Sequence, residues 1–240
     1  MSFAWSWSAL ESFETCPKKH FHTRVRKDVK EPEGEALTWG KRVHDALSLR
    51  IDKGRKLPSD MPYEEHVEKV MENSDRTQVV MKTEQRLALT VDLSPCDFFD
   101  KKVDPWVRSV ADVLKVRQDP GIARVIDWKT GKGKFYPDPV SGEPVATEPG
   151  QLRLAAAVVF AHYPTVEVVR TQYFWLQEGV ETEETFTRRD LPKIWSQFLP
   201  RVDAMEKAFR TNDFPTKRSG LCVRHCPVSS CPYHGKRPNE

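Results

Sequence analysis

The chain is expected to fold as an α/β (α+β) protein, with a central β-sheet flanked by helices. Three observations lead there. Helical apolar spacing dominates the first seventy residues. Three strand-like segments follow in series across short loops rich in Asp, Pro and Gly. A further helical stretch then separates them from two more strand-like segments. A length of 240 residues fits one large domain better than two small ones.

Taken in order, Ser8 is placed to cap a helix carrying Leu10 and Phe13, with Glu11 completing a capping box, and this helix runs into Cys16-Pro17. A second helix is read from about Leu37 to Lys53. It puts Gly40, Val43, His44, Leu47 and Ile51 on one face, and the breaker-rich "GRKLPSDMP" ends it. A third spans about Tyr63 to Asn73. The strands are read at 82–93, 106–116 and 123–130, and their short spacing suggests an antiparallel meander. "GKGKFYPDPVSGEPVATEPG" shows little pattern, and a loop of that length is usually functional or disordered. A helix from about Pro149 to His162, strands "TVEVVRTQYFWL" and "ETEETFTRR", and a long helix capped by Asp190 and ending near Thr211 complete the core.

Composition narrows the function classes. No positively charged start leads into an apolar run and no stretch of eighteen apolar residues occurs, so a soluble, cytoplasmic protein without a membrane partner is expected. The formal charge of +3 is small, yet Lys and Arg gather in "KKHFHTRVRKDVK", "KTGKGK", "TKR" and "GKRP", as nucleic-acid contacts or as an ordinary solvated surface. A Walker A loop is missing, which excludes an ATP-driven motor within this sequence.

The chemistry concentrates at "VIDWKTG". Side chains alternate along a strand, so Asp127 and Lys129 project to the same side. A carboxylate that holds a divalent cation, next to an ammonium that steadies charge on phosphorus oxygens, suits phosphodiester hydrolysis; a surface ion pair is the plainer alternative. Asp112 interrupts an apolar strand, where a charge needs backbone donors or a cation beside it. His44 stands one helical turn after Gly40, whose small size would let that helix approach the sheet closely, although a lone histidine among apolar neighbours more often packs in a core.

Near the end of the sequence, Cys222, Cys226 and Cys231 cluster in "CVRHCPVSSCPYHG". Five cysteines in a reducing compartment argue for metal ligands over disulfides. Zinc would take Cys222, Cys226, Cys231 and either His225 or His234, whereas an iron–sulfur cluster would take four thiolates, with Cys16 as the fourth. Unliganded thiols are the third reading, and Cys96 falls outside the set. Aromatics interleave with polar and basic residues around Trp5, Trp7 and Phe13 and at Lys132, Lys134 and Tyr136, either as a path for single-stranded nucleic acid or, at the start of the chain, as helix packing.

Gly40-x-x-x-His44, Asp112, Asp127-x-Lys129-Thr-Gly and a helix opening with Gln151 stand in the order found in the RecB-like branch of the PD-(D/E)xK nuclease superfamily, which the chain resembles over nearly its whole length. The resemblance implies a restriction-endonuclease-like core with a mixed sheet. It implies magnesium or manganese held by His44, Asp112, Asp127 and the Trp128 carbonyl, with Glu84 at a position that can assist. Lys129 would be the catalytic lysine and Gln151 its helix-borne companion. Many members carry Tyr four residues after that glutamine, where this chain has Ala155.

"CPKKHF" is similar to the first ligand segment of members that carry a 4Fe–4S cluster, although their tail spacing is Cys-x2-Cys-x5-Cys and here the middle cysteine is displaced by one residue. The implied layout is a single nuclease domain: residues 1–36 with the first cluster cysteine, a core at 37–215, and a cysteine segment at 216–240. The implied activity is a DNA exonuclease acting on single strands or DNA ends, in phage or prokaryotic recombination, repair or CRISPR-type processing, with a separate helicase or recombination protein as a possible partner. For a phage protein the compartment would be the host cytoplasm. A non-catalytic nucleic-acid-binding module held by zinc or a cluster, and a structure-specific endonuclease, are the alternatives.

Overall fold

The protein is described here by a computed structural model covering residues 3–72, 78–100 and 102–237. Its helices are α1 (Trp7–Thr15), α2 (Pro17–His20), α3 (Glu35–Lys53), α4 (Glu64–Met71), α5 (Gly150–His162), α6 (Leu191–Thr211) and α7 (Leu221–Arg224). Its strands are β1 (Val79–Leu89), β2 (Pro95–Cys96), β3 (Val107–Arg117), β4 (Ile122–Lys129), β5 (Phe135–Pro137), β6 (Pro144–Ala146), β7 (Val168–Trp175) and β8 (Val180–Thr187). A turn of π-helix, Phe21–Val25, follows α2. The chain divides into two units, Gly34–Trp195 and the paired ends Met1–Glu33 and Ser196–Glu240.

Within Gly34–Trp195 a six-stranded sheet has the order β2-β1-β3-β4-β7-β8. The expected meander is β1, β3 and β4, each antiparallel to the next. β7 then pairs with β4 in parallel after the α5 crossover, and β8 returns antiparallel, so the sheet is mixed. α3 and α4 cover one face: Val43, Leu47, Ile51, Val67 and Val70 form one apolar cluster with Val113, Ile126, Trp128 and Phe174. α5 packs against β1, β3, β4 and β7, with Ala155, Ala156 and Ala157 buried along it. Residues this small bring the helix axis close to the strands.

Several boundaries differ from the sequence reading, each for a local reason. Ser6, not Ser8, caps α1, because Ser6 keeps extended backbone and its Oγ accepts from the Ala9 N–H at 3.3 Å, while Ser8 is already helical. Asp190 does not open α6. It is the third residue of the short 3-10 turn Arg188–Asp190, and its carboxylate accepts from the Thr187 N–H (2.8 Å) and Oγ1 (3.0 Å) in a capping box. α3 begins at Glu35 and stops at Gly54, whose φ of 65° forms the left-handed exit that glycine adopts without penalty. The third helix ends at Met71, and Asn73 lies outside the described residues. The segment that showed little pattern holds the β5–β6 hairpin, whose turn is fixed by Asp138 Oδ1 accepting from the N–H groups of Val140 (2.9 Å) and Ser141 (2.8 Å).

Gly121, where β4 starts, is the glycine that packing requires most: a Cβ there would meet the Thr165 carbonyl oxygen at 2.0 Å. Its own carbonyl accepts from the Glu167 N–H at 2.7 Å, which sets the register of β7 on β4.

The paired ends build their own core. Trp5, Leu10 and Phe13 are buried, as are Phe198, Val202 and Met205 of α6. Phe214 packs against the rings of Phe13, His20 and Phe21. Polar ties join the first segment to the last: Arg201 grips Glu14 with two 2.6 Å hydrogen bonds, Lys217 Nζ donates to the Glu14 carbonyl (2.6 Å), and the Lys18 N–H donates to the Pro215 carbonyl (3.1 Å). Among the described residues no helix is long and apolar enough to cross a membrane.

Candidate active site

The site originates in a fork in the sheet. The β3–β4 ladder runs only from Arg117↔Ile122 to Val113↔Ile126, although both strands continue past that point. Beyond it the Trp128 N–H would lose its β3 partner. Asp112 replaces the missing acceptor, its Oδ2 taking that hydrogen bond at 2.8 Å. On the other side of β3 the β1 ladder breaks at the same level. Thr83↔Val113 and Gln85↔Ala111 are paired, while Glu84 between them has a φ of 47°. Such a conformation costs a non-glycine residue about 1–3 kcal/mol, and it places the Glu84 carboxylate beside Asp112.

α3 supplies the third group. His44 follows Gly40 by one turn, and its Nδ1 lies 3.3 Å from Asp112 Oδ2. A Cβ at position 40 would come within 3.2 Å of Thr130 Oγ1, so the glycine does allow the close approach expected of it. One donor atom each from His44, Glu84 and Asp112 lie within 4.8 Å of one another, close enough to share a cation.

Asp127 and Lys129 project together, as alternation requires, with Lys129 Nζ 2.7 Å from Asp127 Oδ2. That oxygen is buried, with the ammonium as its close partner. Gln151, at the start of α5, bridges the pair: its Nε2 donates to Asp127 Oδ1 and its Oε1 accepts from Lys129 Nζ at 2.8 Å. The ammonium also lies 4.7 Å from the centre of the Tyr173 ring. Tyr173 is the β7 residue directly beside Asp127 in the parallel ladder. The sequence reading missed it, because only the β4–β7 register reveals that a ring from β7 lies under the lysine while position 155, on α5, holds a buried alanine.

His44, Glu84, Asp112, Asp127, Lys129 and Gln151 line one open cleft of about 650 Å³, together with Asp45, Val110, Thr130 and Gly131. Electrostatics there are crowded. Burial raises the Glu84 pKa and Asp112 raises it further. Burial also lifts Asp127, to about 6, against the pull of Lys129 and with the push of Asp112. For His44 burial acts downward, but the Asp112 hydrogen bond and the charges of Asp112, Asp127 and Glu84 outweigh it and raise the pKa to about 9. Carboxylates held this close repel unless positive charge lies between them. Three converging donors from His44, Glu84 and Asp112, with the buried Asp127 carboxylate beside them, fit a hard divalent cation.

Of the remaining sequence candidates, Trp128 alone adjoins the site. Trp128 lines the cleft, and its indole packs against Phe174 at 5.0 Å in the core. Lys134 and Tyr136 sit at the β5–β6 hairpin and Lys132 just before it; Lys134 is 3.9 Å from Glu148 and Tyr136 is exposed. Trp7 packs edge-on against Phe198 at 6.1 Å and under the Arg201 guanidinium at 5.2 Å, within the unit formed by the chain ends. In that unit no disulfide joins the four candidate cysteines. Burial raises the Cys226 pKa, and the charges of Cys16, Cys231 and Cys222 reach it as well, so the four thiols share one neighbourhood. The Ser219 N–H points at Cys222 Sγ (3.5 Å).

A family model described as the PD-(D/E)XK nuclease superfamily matches residues 4–232. The chain belongs to that superfamily. Its mixed central sheet flanked by helices fits the fold of that superfamily. No curated protein matches. Among solved structures, the "Putative exonuclease" of Eubacterium rectale is similar in fold, with a TM-score of 0.50, 10% identity, and 91% of this chain and 85% of that one covered. The crystal structure of SSO0001 aligns with a TM-score of 0.47 and 16% identity over 98% of this chain and 88% of that one. Membership makes the protein a nuclease of a superfamily that uses divalent metals, with DNA as the implied substrate.

Proposed function

We propose that the protein is a magnesium- or manganese-dependent DNA exonuclease of the RecB-like branch, acting on single strands or free ends. The observation that carries this reading is the convergence of His44, Glu84 and Asp112 donors within 4.8 Å beside the Asp127–Lys129–Gln151 relay. His44, Glu84, Asp112 and Asp127 would hold the cation, the Trp128 carbonyl being the ligand that resemblance adds. When bound, such a cation supplies Lewis acidity to the scissile phosphate and offsets its charge. Lys129, held by Asp127, Gln151 and the face of Tyr173, presents a fixed positive charge where negative charge grows on the phosphate oxygens. Gln151 keeps both ends of that pair in place. Lys132, Lys134 and Tyr136 suit contacts to the backbone and bases of the strand.

Cleavage of linear and circular single-stranded DNA with magnesium or manganese tests the reading. Digestion of the linear form alone is the expected result. Cleavage of both forms would make the protein an endonuclease, and no cleavage of either would make it a binding module.

For the cysteines the same proposal holds a 4Fe–4S cluster on Cys16, Cys222, Cys226 and Cys231. Tetrahedral zinc with Zn–S bonds near 2.3 Å sets its thiolates about 3.8 Å apart. The four thiols lie near enough for Cys16, Cys222 and Cys231 to act on Cys226, and a cluster takes four thiolates without a histidine. Its role would be to clasp the chain ends already tied by Glu14, Arg201 and Lys217. Protein purified without oxygen should contain iron and acid-labile sulfide and absorb in the visible range, and Cys16→Ser should bleach it and lower its melting temperature. Stoichiometric zinc, or undiminished colour in the variant, would overturn the assignment.

A further inference from the structure

A second surface lies on the β1–β3 pair, one ladder step from the cleft residue Val110. Phe98 and Phe99, just after β2, meet edge to face with ring centres 4.9 Å apart. The Arg86 guanidinium stands 5.2 Å from Phe99 and 6.0 Å from Phe98, and that of Arg108 lies 5.6 Å from Phe98. Arg108 Nε also donates to the Phe98 carbonyl at 3.0 Å, which fixes the backbone that carries the rings. Phe99 is nevertheless 66% exposed.

The position of this patch relative to the cleft follows from strand register. Arg86 lies directly across from Val110, which lines the cleft with Asp112. Arg108, Val110 and Asp112 are alternate residues of β3, so they form one row from the patch into the site, in steps of about 7 Å. The charge of Arg86 already reaches Glu84. Two acids of the connecting loop are engaged in its turns: Asp92 accepts from Ser94 Oγ (2.7 Å) and from Thr90, and Asp100 accepts from the N–H groups of Lys102 (2.7 Å) and Val103 (3.0 Å), while Asp97 beside Phe98 sets a negative charge next to the two guanidinium groups.

We propose that Phe98, Phe99, Arg86 and Arg108 form a binding site for unpaired bases and adjacent phosphates of single-stranded DNA, holding the strand that enters the cleft. This rests on the nuclease reading for the identity of the ligand. An exposed ring offers a face to any base, and a guanidinium stacked on a ring keeps its N–H edge available to a phosphate. A duplex hides its base faces by stacking, so it would find only the two charges here. The patch therefore favours unpaired strands through chemistry that is blind to sequence.

The test is binding of a fluorescent oligothymidylate and of a duplex of equal length, measured in EDTA so that no cleavage occurs. Phe99→Ala should weaken single-strand binding about tenfold or more, Phe99→Tyr should restore it, and duplex binding should change less than about twofold. Equal loss on both ligands, no loss on the single strand, or failure of Tyr to restore binding overturns the proposal. A concentration-dependent dimer that Phe99→Ala dissolves while leaving DNA binding intact would assign the patch to a second copy of the chain and also overturn it. Turnover of bis(p-nitrophenyl) phosphate, which carries no base, separates this from the nuclease reading. If wild type hydrolyses neither that ester nor DNA, yet Phe99→Ala loses single-strand affinity, the nuclease reading falls and this site stands. Normal turnover with normal single-strand affinity in Phe99→Ala removes this site alone.

Discussion

Lys129→Ala is expected to slow phosphodiester cleavage about a hundredfold or more while DNA affinity stays within about threefold. The ammonium is neutralised in the ground state by Asp127 Oδ2 at 2.7 Å and steadied by Gln151 Oε1 at 2.8 Å and by the Tyr173 ring. Bound DNA therefore gains little from it. As charge accumulates on the phosphate oxygens the same group becomes worth far more, because it is already oriented in a partly buried site. Lys129→Arg should not fully restore the rate, since a guanidinium spreads over a planar fork the charge that the ammonium concentrates at one point. Single-turnover rates with saturating protein, set beside anisotropy titrations, measure both quantities. Unchanged turnover in Lys129→Ala would remove this lysine from the chemistry.

The second large effect belongs to Asp112, which carries two separable duties. Its Oδ2 accepts the Trp128 N–H that the forked ladder leaves without a β3 partner, and it lies against His44 and Glu84 where a cation would be held. Asp112→Ala should abolish metal-dependent cleavage and leave the buried amide unsatisfied, a loss of about 1–3 kcal/mol. Asp112→Asn keeps an oxygen for the amide but not the charge. It should therefore be as inactive as the alanine variant while melting closer to wild type. Cleavage assays with magnesium and manganese and thermal melts in EDTA read the two duties apart. Equal melting temperatures for the two variants would show that the hydrogen bond to Trp128 contributes nothing to the fold.

Much of this arrangement was legible in local pattern. The α3 stripe of Val43, Leu47 and Ile51 does face the core, and strand alternation alone placed Lys129 beside Asp127. What escaped the sequence depends on non-local register. Nothing in "KTEQRLALTVDL" announces that Glu84 adopts left-handed backbone, since that break exists only opposite Asp112 on another strand. Tyr173 reads as a routine strand aromatic until β7 aligns with β4. The β5–β6 hairpin was hidden because its strands are three residues each and rich in proline, too short for any period to show. Ser6 and Ser8 are equally good caps by residue type, and the choice between them was made by which one kept extended backbone.

Glu84 also bears on how tightly the fold and the ion depend on each other. A φ of 47° in the middle of an eleven-residue strand holds the Glu84 carboxylate beside Asp112 and His44. The elastic energy held in that kink, and the mutual repulsion of the acids around it, raise the free energy of the fold. A dication held there would relieve the repulsion. Titrating the ion and following resistance to heat are thus two measurements of a single coupled equilibrium.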